Sequence, residues 1–271
     1  MKKANQVPDY DKLLNDRHYT AGYDPPAEQV LLKIDGHTVG TAGNFVVFSG
    51  LPKAGKSTFI HAALASMAVH SRHMFKISLT STDKRPFVGY FDTESAEFDF
   101  YKNLTRIRYM MGREVLPDNF NAFTTRQDSA ELNKILVETY IKNYPVSVVI
   151  IDGLLDLIKN YNDEIESRHL IDWLKAITAE HKVLIIGVIH TGKKDNHTLG
   201  HFGSMADRYA QSVLEVIKDR ETNTYQLLPK YLRSDKDFDP ISIMWTGAGY
   251  AECAFPISQK ENTPSNKGRR R

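Results

Sequence analysis

The stretch that most limits what this chain can fold into is residues 45–58. Phe45-Val46-Val47-Phe48 is β-branched and aromatic, and it stops at Ser49-Gly50. Leu51, Pro52, Lys53 and Ala54 separate Gly50 from Gly55, and Lys56-Ser57-Thr58 follows. This is the G-x-x-x-x-G-K-[ST] spacing, and the alanine-rich run over 58–67 reads as the helix the motif needs after its strand. The glycines free the backbone to wrap phosphate, while loop N–H groups and a helix N-terminus attract negative charge. Lys56 is expected to reach the β- and γ-phosphates, and the Ser57 hydroxyl to ligate Mg²⁺. Residues Gly50 to Thr58 are therefore the expected nucleotide cradle.

Length bounds what surrounds this cradle. The 271 residues suit one large α/β domain, or one domain with short appendages. Cys253 is the sole cysteine, which rules out an intramolecular disulfide and fits a reducing, cytoplasmic setting. Met1-Lys2-Lys3 begins basic, but no apolar segment follows it, so a secretory signal is not expected. No apolar run approaches the ~20 residues of a membrane span. The net charge of +2 neither demands nor excludes a nucleic-acid partner, so any DNA contact must come from local patches. Residues 1–29 are polar and irregular, punctuated by Asp24-Pro25-Pro26. They read as an arm, free in a monomer or lying on a neighbour in an oligomer. Residues 30–257 form the expected folded domain. Residues 258–271 read as a disordered basic tail, solvated or touching phosphate with its arginines.

Inside the domain, short apolar runs alternate with helical stretches, the pattern of βαβ units on a parallel sheet. Residues 30–48 suggest a lead-in strand and then the first core strand. Residues 87–91 end at Asp92-Thr93-Glu94, residues 146–151 at Asp152, and residues 183–189 at His190. Each run is apolar throughout, as strands covered on both faces should be. Each ends in a polar residue where open α/β sheets carry their chemistry. Residues 213–217 and 241–245 read as added strands beyond the nucleotide site.

Asp152 reads as the acidic residue of a Walker B strand, holding Mg²⁺ directly or through water; the plainer reading is the N-cap of a short helix. Gly153 follows it, so the water-activating carboxylate must come from another strand. Glu94 is the best-placed candidate, with Asp92 as its competitor; the plainer reading has Glu94 and Glu97 capping a helix that begins near Ser95. His190 sits where a polar side chain senses the γ-phosphate, or is merely a satisfied histidine beside a sheet. The loop over 191–204 holds Lys193, Lys194, His197, His201 and one aromatic, Phe202, and reads either as a grip on single-stranded DNA or as a solvated loop. Its glycines argue against a helix aligning His197 with His201, and no zinc site is expected there.

The order of phosphate loop, Tyr90-Phe91-Asp92-Thr93-Glu94, Val149-Ile150-Ile151-Asp152 and Ile186-Gly187-Val188-Ile189-His190 resembles the RecA-like ATPase superfamily. Within it the chain is most similar to RepA-type hexameric replicative helicases of plasmids and mobile elements, relatives of the DnaB-type helicases, over approximately residues 30–250. The resemblance implies an α/β RecA-like P-loop NTPase: a mainly parallel twisted sheet flanked by helices, with extra C-terminal strands. It implies ATP and Mg²⁺, a catalytic role for Glu94 and a sensor role for His190. Residues 203–207 resemble the segment after the family's DNA-facing loop, with Phe202 in place of an arginine. The resemblance also implies a homo-oligomer, a hexamer, on single-stranded DNA, with a basic finger reaching each ATP site from the next subunit. Lys230 and Arg233 are the finger candidates, with Arg208 in reserve; the plainer reading is a solvated hairpin. Two other functions stay open: an ATP-switched DNA-binding assembly protein without unwinding, and a small-molecule kinase. No arginine-rich lid between Asp152 and His190 favours the kinase, and Lys53 stands too late in the loop for a partition-type signature.

Overall fold

The computed structural model describes residues 9–67, 74–192, 200–246 and 249–253. In chain order it begins with a short helix α1 (Tyr10–Asn15) and strands β1 (Val30–Ile34), β2 (His37–Thr41) and β3 (Phe45–Gly50). Helix α2 (Lys56–Ser66), strands β4 (Ile77–Leu79) and β5 (Phe87–Asp92) and helix α3 (Glu97–Met110) come next. Strand β6 (Phe120–Thr124), helix α4 (Ala130–Asn143), strand β7 (Val146–Asp152), helix α5 (Glu164–His181), strand β8 (Leu184–His190) and helix α6 (Gly200–Tyr209) follow. The last elements are strands β9 (Ser212–Asp219), β10 (Thr224–Leu232), β11 (Ile241–Trp245) and β12 (Tyr250–Glu252).

Every residue of β3 and of β7 is buried, because these strands lie inside the sheet with helices on both faces. The large sheet runs β12-β11-β10-β9-β3-β8-β7-β5-β6. From β9 to β6 all neighbours are parallel, and β10, β11 and β12 extend it antiparallel. Alternation along each strand divides the core. Val46, Phe48, Val148 and Ile150 pack with α2 and α3 on one face. Phe45, Val47, Val149 and Ile151 pack with α4, α5 and α6 on the other. The fold is therefore α/β, a mainly parallel sheet between two helical layers with C-terminal strands added.

The lead-in region is more than a single strand. β1 and β2 form a hairpin, and β4 adds to β1, giving a separate antiparallel sheet in the order β2-β1-β4. This sheet covers α2, which explains why α2 is buried almost all round instead of on one stripe. Buried Gln211 fastens the small sheet, accepting from Thr41 N at 2.9 Å and donating to Ser234 Oγ at 2.6 Å.

Two further expectations change. Residues 200–204 lie in α6 despite their glycines, because Phe202 and Ala206 bury against the α5 layer and packing outweighs weak helix propensity. The segment that carries Lys230 and Arg233, whose plainer reading is a solvated hairpin, is a sheet strand over residues 227–232, most of β10. In the arm, α1 buries no residue.

Candidate functional site

Parallel register delivers the polar strand ends to one edge. Asp92 on β5 lies opposite Asp152 on β7, and His190 on β8 lies opposite Gly50 on β3. At this edge the phosphate loop, Glu94, Asp152 and His190 line a cavity of about 380 Å³. Gly55 caps α2 with φ of +95°, a left-handed conformation costly for any side chain, and a Cβ there would run into the ring of Tyr225.

Lys56 is only 5% exposed. Its Nζ donates to Gly50 O at 2.9 Å and Leu51 O at 3.0 Å, and lies 2.9 Å from His190 Nδ1. An ammonium has no acceptor, so His190 Nδ1 accepts. Nε2 then carries the imidazole hydrogen and donates to Glu94 Oε1 at 3.1 Å. Burial lowers Lys56 to about 8 against the opposing pull of Glu94 and Asp152. Glu94 is held below the usual carboxylate value, chiefly by the His190 hydrogen bond. Phosphate-loop lysine, histidine and glutamate form one continuous chain.

Asp152 accepts from Ser57 and from Tyr90, yet burial and the charges of Asp92 and Glu94 push it up to about 6. A buried carboxylate beside a hydroxyl is a hard-oxygen pair of the kind a nucleotide-bound divalent cation takes. Ser57 and Asp152 would hold Mg²⁺ here, where the ion neutralises charge on nucleotide phosphates.

Asp92 is used differently. It is 1% exposed, and its Oδ1 accepts from Glu94 N at 3.1 Å and Ser95 N at 2.7 Å. It builds the turn, while the half-exposed Glu94 carboxylate faces the cavity. The glycine after Asp152 has a steric cause. Gly153 has φ of +111°, and a Cβ would land on Thr93 Oγ1, which donates to Asp156 Oδ2 at 2.6 Å. An acidic side chain cannot stand there.

Among the described residues, the remaining candidates do not line this cavity. Lys230, on β10, is paired with Asp207 Oδ2 at 2.9 Å. Arg233 is exposed just past the end of β10, and Arg208 lies in the last turn of α6. Phe202 is fully buried, so it is unavailable to stack on a base. Lys193, Lys194 and His197 lie outside the described residues. Three lining residues escaped the sequence reading: Lys218, Tyr225 and Tyr250. The Lys218 ammonium donates to Tyr225 Oη at 2.7 Å. The C-terminal strands thus reach over the nucleotide edge and do not stop beyond it. Their tyrosines carry no local motif, and only the antiparallel sheet extension brings them back to the loop.

A phosphate loop on the central strand of a parallel sheet, with a Ser–Asp pair suited to a divalent cation, defines a P-loop ATPase. The AAA domain family matches residues 25–196, more than half of the chain, and the chain belongs to that family. No curated protein matches it. Lys218, Tyr225 and Tyr250 fall outside the matched segment. Among the described residues, no helix is long and apolar enough to cross a membrane.

Proposed function

We propose that this ATPase is a ring motor that translocates on single-stranded DNA, a homo-hexameric replicative helicase of the RepA type serving a plasmid or mobile element. The observation that carries this reading is the chain from Lys56 through His190 to Glu94. The base comes from β5, beside the Asp152 strand, and the sensor from β8, between Asp152 and the phosphate loop. This division of labour over adjacent strands matches the RecA-like order of motifs.

In this reading ATP phosphates take Lys56 from the carbonyls of Gly50 and Leu51, and Lys56 leaves His190 Nδ1. His190 then turns to the γ-phosphate, and Glu94 orients and polarises the attacking water. Tyr225 and Tyr250 flank the base or ribose, which leaves the triphosphate to the loop. Arg233, exposed, is the better finger toward a neighbouring site; Lys230 would first have to leave Asp207. The unburied face of α1 supports assembly, since a helix this short needs a surface to lie on.

The test is light-scattering mass together with ATPase rate, with and without single-stranded DNA and a non-hydrolysable ATP analogue. A nucleotide-dependent ring with DNA-stimulated turnover supports the motor, and strand displacement then tests unwinding. A DNA-bound assembly with negligible turnover replaces the motor with an ATP-driven switch. A monomer indifferent to DNA sinks both and redirects the search to kinase substrates.

A further inference from the structure

We infer that Tyr90 is a positioning residue that ties the metal-side carboxylate Asp152 to the turn presenting Glu94. The inference rests on the ATPase reading of this site. Tyr90 and Asp92 are two apart on β5 and share a face, and parallel register sets Asp152 opposite Asp92. The Tyr90 hydroxyl lies 3.3 Å from Asp152 Oδ2 and 3.4 Å from Asp92 Oδ2. A phenol has one hydrogen to donate, so the two carboxylates share it.

Asp92 passes the constraint onward. Its other oxygen holds the N–H groups of Glu94 and Ser95, and Asn103 Nδ2 donates to Oδ2 at 3.4 Å. Asp152, Tyr90, Asp92 and the Glu94 backbone therefore form a second chain, distinct from the Lys56–His190–Glu94 chain. The ring of Tyr90 is completely buried and pinned between Phe100 and His61, each with ring centroids 6.2 Å away. A phenylalanine would fill that space equally well. The hydroxyl is retained in a dry core at a desolvation cost that only its carboxylate partners offset. A cation held by Asp152 would leave the phenol hydrogen to Asp92, and Tyr90 would then brace the turn that carries Glu94.

The variant is Tyr90→Phe in the full chain, read by Mg²⁺-dependent binding of a fluorescent ATP analogue and by steady-state turnover. Loss of an outer-shell hydrogen bond is expected to raise the Mg²⁺ concentration for half-saturation roughly tenfold. Binding without Mg²⁺ should stay the same. Asn103→Ala removes contacts to Asp92 Oδ2 and to Ser95 Oγ, both on the turn side of the chain, so it should lower kcat without moving the Mg²⁺ dependence. An unchanged Mg²⁺ dependence in folded Tyr90→Phe overturns the inference and leaves Tyr90 a packing residue. Should Tyr90→Phe fail to fold, an unchanged kcat in Asn103→Ala overturns it instead. Wild-type nucleotide binding that ignores Mg²⁺ overturns the ATPase reading itself, an outcome distinct from either.

Discussion

Glu94 and Asp92 stand two residues apart, and burial separates their work. Glu94 keeps an acceptor toward the cavity, while Asp92 spends both oxygens on its own turn, Tyr90 and Asn103. Glu94→Gln is expected to lower kcat by about 10²–10⁴-fold, as loss of a general base does, with nucleotide binding retained. Asp92→Asn should instead destabilise the fold by about 1–3 kcal/mol in denaturant titrations, because buried hydrogen bonds lose a partner. Asp152 gives a test with a sign. Its value is raised to about 6 in the folded protein, so folding takes up a proton between about pH 4 and 6. Stability of the nucleotide-free protein therefore falls as pH rises through that window. Asp152→Asn cannot ionise. It should be more stable than the parent by up to about 3 kcal/mol above pH 6, with the gain gone below about pH 4. The same variant should lose Mg²⁺-dependent stabilisation by ATP. Thermal unfolding across pH, with and without Mg·ATP, reads both.

Elements explain what the sequence could and could not announce. β3, β5, β7 and β8 were legible because strands covered on both faces must be apolar throughout, and their polar ends mark the site edge. β6 was not, since only Phe120 of its five residues is buried at the sheet margin, and β4 is three residues long. Glu94, Asp152 and His190 were readable as strand ends; their mutual hydrogen bonds were not, because strand order is a tertiary fact. Tyr225 is the plainest case. It stands in β10, far along the chain from Gly55, and packs against it only because β9 pairs with β3. Gly55→Ala meets two obstacles, a left-handed backbone and the Tyr225 ring. It should cost about 1–3 kcal/mol and remove ATP-induced stabilisation. Gly55→Ala with Tyr225→Ala removes the ring and leaves the backbone strain. Because Tyr225 is itself a buried core residue, the comparison is with Tyr225→Ala alone: Gly55→Ala should cost less stability in that background than in the parent, with none of the nucleotide effect recovered. No cost at all in thermal unfolding in the Tyr225→Ala background would mean that the ring alone imposed glycine.

At the scale of the whole molecule, the arm is the feature a single chain does not account for. Asp9 caps α1 by accepting from Lys12 N at 3.0 Å, so the helix has a defined start. Tyr10, Leu13 and Leu14 fall at i, i+3 and i+4, the spacing of one apolar face, yet they are 68%, 38% and 71% exposed. Six residues cannot hold a helix in water without a surface to bury. Residues 16–29 reach at most roughly 50 Å when extended, enough to lay α1 on an adjacent protomer. Leu14→Asp places a charge in that apolar face. Because α1 buries nothing within its own chain, the variant's stability at low protein concentration should stay within about 0.5 kcal/mol of the parent. If the chain assembles as proposed, the variant's light-scattering mass with ATP analogue and single-stranded DNA should shift toward the protomer, and DNA-stimulated turnover should fall with it. Leu14→Met keeps the apolar face and should assemble as the parent does. Equal masses for Leu14→Asp and the parent would show that the arm has no part in the proposed assembly.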